Sequence, residues 1–335
     1  MPIFTIIQSV FRFGDLAECS RFCLWKEMCM RLGFISSVLS GFSYEQMMDF
    51  AAETGFECVE AACWPKGDGT RRYAGTCHID VIRVCEDDFY AQHIISYAKE
   101  KNVAISSLAF YPNTLDPDPK KRTANIEHLH KLIEASAKLG VGMVTTFIGR
   151  DQFKTVEDNL ALVREVWPPI VEKARDLGVK IAIENCPMLF GRDQWPGGQN
   201  LMTTPSNWRR IFEILPYENF GINYDPSHFV WQMIDYIKPI YEFKDKIFHV
   251  HCKDAKLYPD RLQEVGIMGY PLDFMSPKLP GLGDVDWGKY ISALTDIGYA
   301  GYVCVEMEDR AFEVNEESIL KALRLSRKYL RNFVI

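Results

Sequence analysis

Four successive β-rich runs in this chain end in ionisable side chains. "IAIEN" ends in Glu184 and Asn185, and "INYDPSH" brings Asp225 and His228. "FHVHCKD" carries His249, His251, Lys253 and Asp254, and "VCVEMED" offers Glu306. A lone buried carboxylate is ordinarily a paired structural charge. Three carboxylates brought to one place repel one another unless a cation sits among them. Three carboxylates and one imidazole, with room for water or substrate, suit a hard octahedral divalent ion. Mn²⁺ fits best, with Mg²⁺, Co²⁺ or Zn²⁺ as the other choices. Side chains alternate along a strand, so His249 and His251 share one face while Cys252 turns to the other. His251 is nearer the strand end and is assigned to the metal, with His249 one layer below.

Bringing four strand ends together requires a repeating element, and the sequence has one. A helix with apolar residues at helical spacing reaches a Gly or Asn, and a short apolar strand follows. "MMDFAAETGFECVEAA", "LIEASAKLGVGMVTTFIG" and "IVEKARDLGVKIAIEN" are three instances. Eight strands are expected at about 31–38, 56–62, 102–109, 141–148, 180–185, 219–225, 246–252 and 301–306. Helices are expected near 43–54, 84–100, 120–139, 155–178, 205–214, 229–243, 287–297 and 314–331. This alternation predicts a single-domain α/β fold, a (β/α)₈ TIM barrel over residues 30–335, with residues 1–29 as an N-terminal extension. No Gly-rich GxGxxG turn follows the first strand, which argues against a dinucleotide-binding sheet. In a TIM barrel the active site lies at the C-terminal strand ends, where the ionisable residues stand. Long loops are expected near 63–83, 187–203 and 253–286, and "PGGQN" (196–200) reads as a mobile lid.

Composition narrows the function classes. The net charge of −7, with no basic run longer than "PKKR" (119–122), disfavours nucleic acid as a partner. No apolar run is long enough for a membrane helix, so no membrane partner is expected. The ten cysteines form no CxxC pair and fall largely in apolar runs, as expected of reduced thiols in a cytoplasmic protein.

The motifs "ENCP" (184–187), "DPSH" (225–228), "HVHCKD" (249–254), "GLGDVDW" (281–287) and "VEMED" (305–309), in this order, resemble the xylose-isomerase-like superfamily of TIM-barrel sugar isomerases and epimerases. That superfamily includes ketose 3-epimerases of the tagatose 3-epimerase type, hydroxypyruvate isomerase, inosose isomerase and dehydratase, and endonuclease IV. The resemblance spans about residues 30–331. It implies Glu184, Asp225, His251 and Glu306 as metal ligands and His228 as a contact to a substrate oxygen. It also implies a sugar as the small-molecule partner and a homo-oligomer, since members often form dimers or tetramers. Two departures restrict it. The ketose 3-epimerases carry an Arg shortly after the metal histidine where this chain has Leu257, which argues against a free ketohexose. The third strand ends at Tyr111 without a histidine, which argues against the three-zinc DNA-repair chemistry of endonuclease IV.

The chemistry expected is proton abstraction beside a metal-polarised carbonyl, through an enediolate. Glu184 and Glu306 come from different strands and would flank the substrate carbon. Acting together they would epimerise it, and one acting alone would isomerise it. The alternative is a lyase on the same scaffold, an inosose-type dehydratase or an enzyme of β-elimination on an oxidised glycoside, with His228 or Lys253 as general acid. A non-catalytic binding subunit is a third, weaker reading. The loops add Trp64 as an apolar wall for a sugar, with Arg71, Arg72, Tyr73 and His78 following it. Arg150 is placed to meet a substrate oxygen or carboxylate. His78 and Arg150 each have a competing structural reading, as a helix cap and as a partner for a nearby acid.

Overall fold

Short local signals start and stop the elements around a closed parallel barrel. The computed structural model describes residues 29–66, 74–189, 192 and 197–334. Ser43 caps the helix Tyr44–Thr54 with its side chain, Gln46 closes a reciprocal capping box, and Gly55 ends the helix at φ +75°. Asp118, Thr155, Thr204, Asp286 and Asn315 cap the helices Pro119–Lys138, Val156–Asp176, Pro205–Ile214, Trp287–Asp296 and Glu316–Leu330 in the same manner. Each of these helices except the last, Glu316–Leu330, returns the chain to the start of another parallel strand.

The barrel strands are β1 (Arg31–Ile35), β2 (Cys58–Ala62), β3 (Ala104–Ala109), β4 (Met143–Thr146), β5 (Lys180–Glu184), β6 (Phe220–Tyr224), β7 (Ile247–Cys252) and β10 (Tyr302–Val305). They close in the order β1-β10-β7-β6-β5-β4-β3-β2, all parallel. This is the expected (β/α)₈ barrel. The expected extension, residues 1–29, lies outside the described residues apart from Cys29. No helix among the described residues is long and apolar enough to cross a membrane.

Three expected elements differ. The helix expected at 84–100 is two helices, Val81–Glu86 and Asp88–Lys101, because Asp87 leaves helical geometry and caps the second. The helix expected at 229–243 is replaced by Ser227–Trp231 and Lys238–Glu242, with Met233 at φ +58° between them. The long loop after β7 is built rather than open. It holds an antiparallel pair, β8 (Asp254–Leu257) and β9 (Met275–Lys278), and two short helices, Pro259–Val265 and Pro271–Phe274.

Strand alternation sorts the chemistry. Ile181, Ile183, Phe220, Ile222, Tyr224, Val250 and Cys252 pack outward in the main hydrophobic core. The alternate positions meet inside the barrel: Glu60, Ser106, Thr145, Glu184, Asn223, His249, His251 and Cys304, all buried. TIM-barrel interiors are commonly filled by branched apolar side chains. This interior is polar, and desolvating so many polar groups requires that they satisfy one another or hold a ligand.

Candidate metal centre

Glu184 ends β5, Asp225 follows β6, His251 lies in β7 and Glu306 follows β10, so adjacent strands deliver all four to the same end of the barrel. One ligand atom from each lies within 4.8 Å of the others. His251 Nδ1 is 3.2 Å from Glu306 Oε2 and 3.7 Å from Glu184 Oε1. Glu184 and Asp225 are buried, as is His251. Asn185 fixes the two carboxylate-bearing turns to each other: its Nδ2 donates to the Asp225 carbonyl at 2.8 Å, and its Oδ1 accepts from the Asp225 N–H at 2.8 Å.

The orientation of His251 is set from a strand across the barrel. Its Nε2 lies 2.7 Å from Glu60 Oε2, so Nε2–H donates there and Nδ1 is the nitrogen turned toward Glu184 and Glu306. Glu60 Oε1 accepts from Thr145 Oγ1 at 2.8 Å and from the Tyr111 hydroxyl. Burial pushes the Glu60 carboxyl upward, but the charges of His251 and His249 outweigh it and hold it at about 2. Asn223 Nδ2 donates to the Tyr111 hydroxyl at 3.0 Å, and its Oδ1 lies 3.1 Å from His249 Nδ1. His249 Nε2 in turn lies 3.1 Å from Ser106 Oγ. His249 is thus a hydrogen-bonded layer beneath the mouth.

Lys253 is the cation already inside the cluster. Its Nζ lies 2.8 Å from Glu306 Oε2, 3.2 Å from Asp225 Oδ2, 3.5 Å from Glu308 Oε2 and 4.0 Å from Glu184 Oε1. Burial would push the ammonium down, but the surrounding carboxylates hold it well above its ordinary value. Burial pushes Asp225 upward with Lys253 in opposition, whereas Glu306 stays well below the usual range because Lys253 and His251 overcome its burial.

Whether these residues fit a divalent ion is tested by what remains unsatisfied. Glu184 Oε1, Asp225 Oδ2, both ring nitrogens of His228 and His251 Nδ1 are buried without a hydrogen-bond partner. Buried polar atoms are normally paired, and these orphans lie together at the mouth. The carboxylates also outnumber the ammonium that faces them. Oxygen-rich donors with an oriented imidazole fit a divalent cation.

The other expected site residues divide. His228 is buried beside the cluster, its Nε2 3.5 Å from both Glu184 Oε1 and Asp225 Oδ2. Trp64 packs at ring distances of 5.9 Å from Phe110 and 6.0 Å from Tyr111. It borders an apolar patch formed by Ile35, Ala109, Tyr111, Phe147 and Met188. His78 is committed elsewhere: its Nε2 bonds the Leu39 carbonyl at 3.1 Å and its Nδ1 bonds Ser36 Oγ at 2.9 Å. Ser36 Oγ also accepts from the Ala62 N–H, so His78 joins the exits of β1 and β2 and has no free nitrogen for a substrate. Arg150 donates from Nη1 to the Gly197 carbonyl at 2.6 Å, tying the β4 exit to the segment expected as a lid. That segment is stapled at Asn200, whose Nδ2 donates to the carbonyls of Glu184 at 2.8 Å and Cys186 at 2.7 Å. Its Oδ1 accepts from the Ile148 N–H at 3.2 Å. Asn200 is an anchor because its amide replaces missing backbone partners. Arg71, Arg72, Tyr73 and Pro196 lie outside the described residues.

Sequence reading passed over Glu60, Asn223 and Glu308. Glu60 left one signal, a single acid inside the otherwise apolar strand "CVEAA". Asp254 proved structural: it accepts from the N–H groups of Ala255, Gly281 and Val285 and from Trp287 Nε1, which explains the "GLGDVDW" motif.

A family model for xylose isomerase-like TIM barrels matches residues 48–330. The chain is 24% identical over 314 residues to the uncharacterized protein YfiH of Bacillus subtilis, covering 84% of this chain and 93% of that one. It is 23% identical over 227 residues to an inosose dehydratase of Clostridium perfringens, covering 65% of this chain and 72% of that protein. The fold superposes on a crystal structure of D-psicose 3-epimerase in the presence of D-fructose with a TM-score of 0.65 and 16% identity, covering 91% of this chain and 99% of that one.

Proposed function

This chain belongs to the family of xylose isomerase-like TIM barrels, and we propose that it is a divalent-metal-dependent isomerase or epimerase of a keto-sugar or sugar-derived ketone. The observation that carries this reading is the convergence of buried, hydrogen-bond-free donor atoms from Glu184, Asp225 and His251 beside Glu306. Glu184, Asp225, His251 and Glu306 would hold the ion, and their three oxygens and one nitrogen favour Mn²⁺ among the divalent choices. Bound there, a divalent ion supplies Lewis-acid polarisation of a substrate carbonyl.

The chain's own residues supply the proton chemistry. Glu184 and Glu306 rise from strands separated by β6 and β7, so their carboxylates approach a bound carbon from two directions. One removes the α-proton and the other delivers a proton to the opposite face. His228, whose ring nitrogens have no hydrogen-bond partner and whose Nε2 faces Glu184 and Asp225, is available to a substrate oxygen. Trp64 and the patch around Tyr111, Phe147 and Met188 offer an apolar wall to sugar C–H groups.

A lyase reading is favoured by one specific feature. The Lys253 ammonium is buried against Glu306 at 2.8 Å, placing an acid beside a candidate base, as loss of water from a substrate such as an inosose would need. One experiment tests both readings: metal-loaded protein is incubated in deuterated water with keto-sugars, inososes and 3-keto-glycosides. Solvent deuterium at the α-carbon with product mass otherwise unchanged marks isomerisation or epimerisation, and loss of water marks the lyase. Exchange should vanish in Glu184→Gln or Glu306→Gln. Wild-type exchange in both variants would sink the two-glutamate scheme.

A further inference from the structure

Glu308 belongs to the charged cluster at the barrel mouth, yet neither the ligand set nor the proton scheme uses it. Its Oε2 lies 3.5 Å from Lys253 Nζ. The pairing of β7 with β10 explains why the two meet. Val305 stands opposite Cys252, and the Glu306 N–H donates to the Cys252 carbonyl at 3.2 Å, so the exits of both strands run side by side. Side chains two residues apart share a face of extended chain. Each exit therefore offers an inner and an outer group: His251 then Lys253, and Glu306 then Glu308.

The ammonium stands where the proposed ligands converge. Lys253 Nζ donates to Glu306 Oε2 at 2.8 Å and lies 3.2 Å from Asp225 Oδ2 and 4.0 Å from Glu184 Oε1. An ammonium and a divalent ion drawn to the same three carboxylates repel one another, and burial strengthens that repulsion. Of the four carboxylates within 4.0 Å of Nζ, Glu308 alone is outside the ligand set. The Glu308 side chain is 23% exposed and that of Lys253 3%, so Glu308 lies toward the open side of the mouth.

We propose that Lys253 is the resident counter-cation of this site, and that Glu308 is a positioning residue that takes up its ammonium when a divalent ion binds. In the metal-free chain Lys253 holds the carboxylates together. In the metal-bound chain its ammonium stands one step outward along the exits, on Glu308 instead of Glu306, with its charge unchanged. Glu306 then loses the hydrogen bond from Lys253, as a carboxylate acting as a base requires. Without Glu308 the displaced ammonium would be left buried and unpaired, a costly state that opposes ion binding. The inference rests on the metal-dependent reading proposed above, and its test separates the two.

Mn²⁺ affinity of the full chain is measured by competition with a chromophoric chelator in wild type, Lys253→Met, Glu308→Gln and the double variant. Glu308→Gln should weaken Mn²⁺ binding about 10-fold and Lys253→Met should tighten it by a similar factor, within the couplings found for residues in contact. On the Lys253→Met background, Glu308→Gln should change affinity by less than about 3-fold. An equal loss in both backgrounds would mark Glu308 as a charge acting on the ion directly, and would overturn the proposal. A crystal structure of the wild-type chain with Mn²⁺ gives an independent readout: Lys253 Nζ should bond Glu308 and stand clear of Glu306 and Asp225. An ammonium retained between Glu306 and Asp225 beside the ion would sink the inference and leave the metal-dependent reading standing. No Mn²⁺ binding by wild type would bring down both.

Discussion

Glu60→Gln is a sharp probe of how the metal centre is built, because it changes a charge and a proton position without changing shape. In the native arrangement Glu60 accepts from three donors: His251 Nε2–H at 2.7 Å, Thr145 Oγ1 at 2.8 Å and the Tyr111 hydroxyl. Glutamine supplies an acceptor on one side only. If its oxygen keeps Thr145 and Tyr111, its NH₂ faces His251 Nε2 and favours the tautomer with the proton on Nδ1, the nitrogen that faces Glu184 and Glu306. If the amide turns over, its NH₂ faces Tyr111, whose hydroxyl already accepts from Asn223. Either orientation weakens His251 as a ligand. Loss of a carboxylate behind a metal histidine typically lowers affinity 10–100-fold, or about 1.4–2.7 kcal/mol. The assay is a Mn²⁺ competition titration against a chromophoric chelator, alongside thermal melts of the metal-free protein. The metal-free melt should shift far less than the metal-loaded one. Wild-type Mn²⁺ affinity in Glu60→Gln would refute the claim that Glu60 fixes the tautomer of His251.

Three further outcomes follow from the same structure. Lys253→Met leaves Glu306, Asp225 and Glu308 facing one another, so the metal-free protein should lose about 3–5 kcal/mol, and Mn²⁺ should raise the melting temperature more in the variant than in wild type. An equal rise would show that Lys253 does not offset the cluster. Asn200→Ala strands two buried carbonyls and the Ile148 N–H, and should cost about 2–4 kcal/mol in urea unfolding; a loss under 1 kcal/mol would remove its role as a staple. Burial lowers the His78 pKa from 6.5 to about 4 against the pull of its bond to Leu39. The unfolded chain therefore binds the extra proton first as pH falls. Stability contributed by neutral His78 is intact above pH 6.5 and declines toward pH 4, by up to about 3 kcal/mol. The stability difference between wild type and His78→Gln should shrink across that window, and a pH-independent difference would contradict the assignment.

Much of the architecture was legible because it is written locally. Gly55 and Asn102 in left-handed geometry, side-chain caps such as Ser43 and Thr155, and apolar strands of fixed spacing mark each βα unit without reference to any other. At Asp87, a side-chain cap inside the expected helix, and at Met233, in left-handed geometry, the expected helices came apart. The expectation for His78 failed for a tertiary reason. Its type suggested chemistry, but its partners, Ser36 and Leu39, arrive from another βα unit.

The sequence by itself determined the strand ends and, through the two-residue period of a strand, which residues there share a face: Glu184 apart from Ile183, and His251 and Lys253 apart from Cys252. Asp225, His251 and Glu306 could be placed at one mouth because each follows or ends a strand whose direction the repeat already specified. The tertiary structure alone decided what lies across the barrel. Glu60 and His251 are 191 residues apart, and Ser106 and His249 are 143 apart. No local rule relates such pairs. They meet only because closure of the sheet brings β2 and β3 face to face with β7, and that closure sets the nitrogen His251 turns toward the carboxylates.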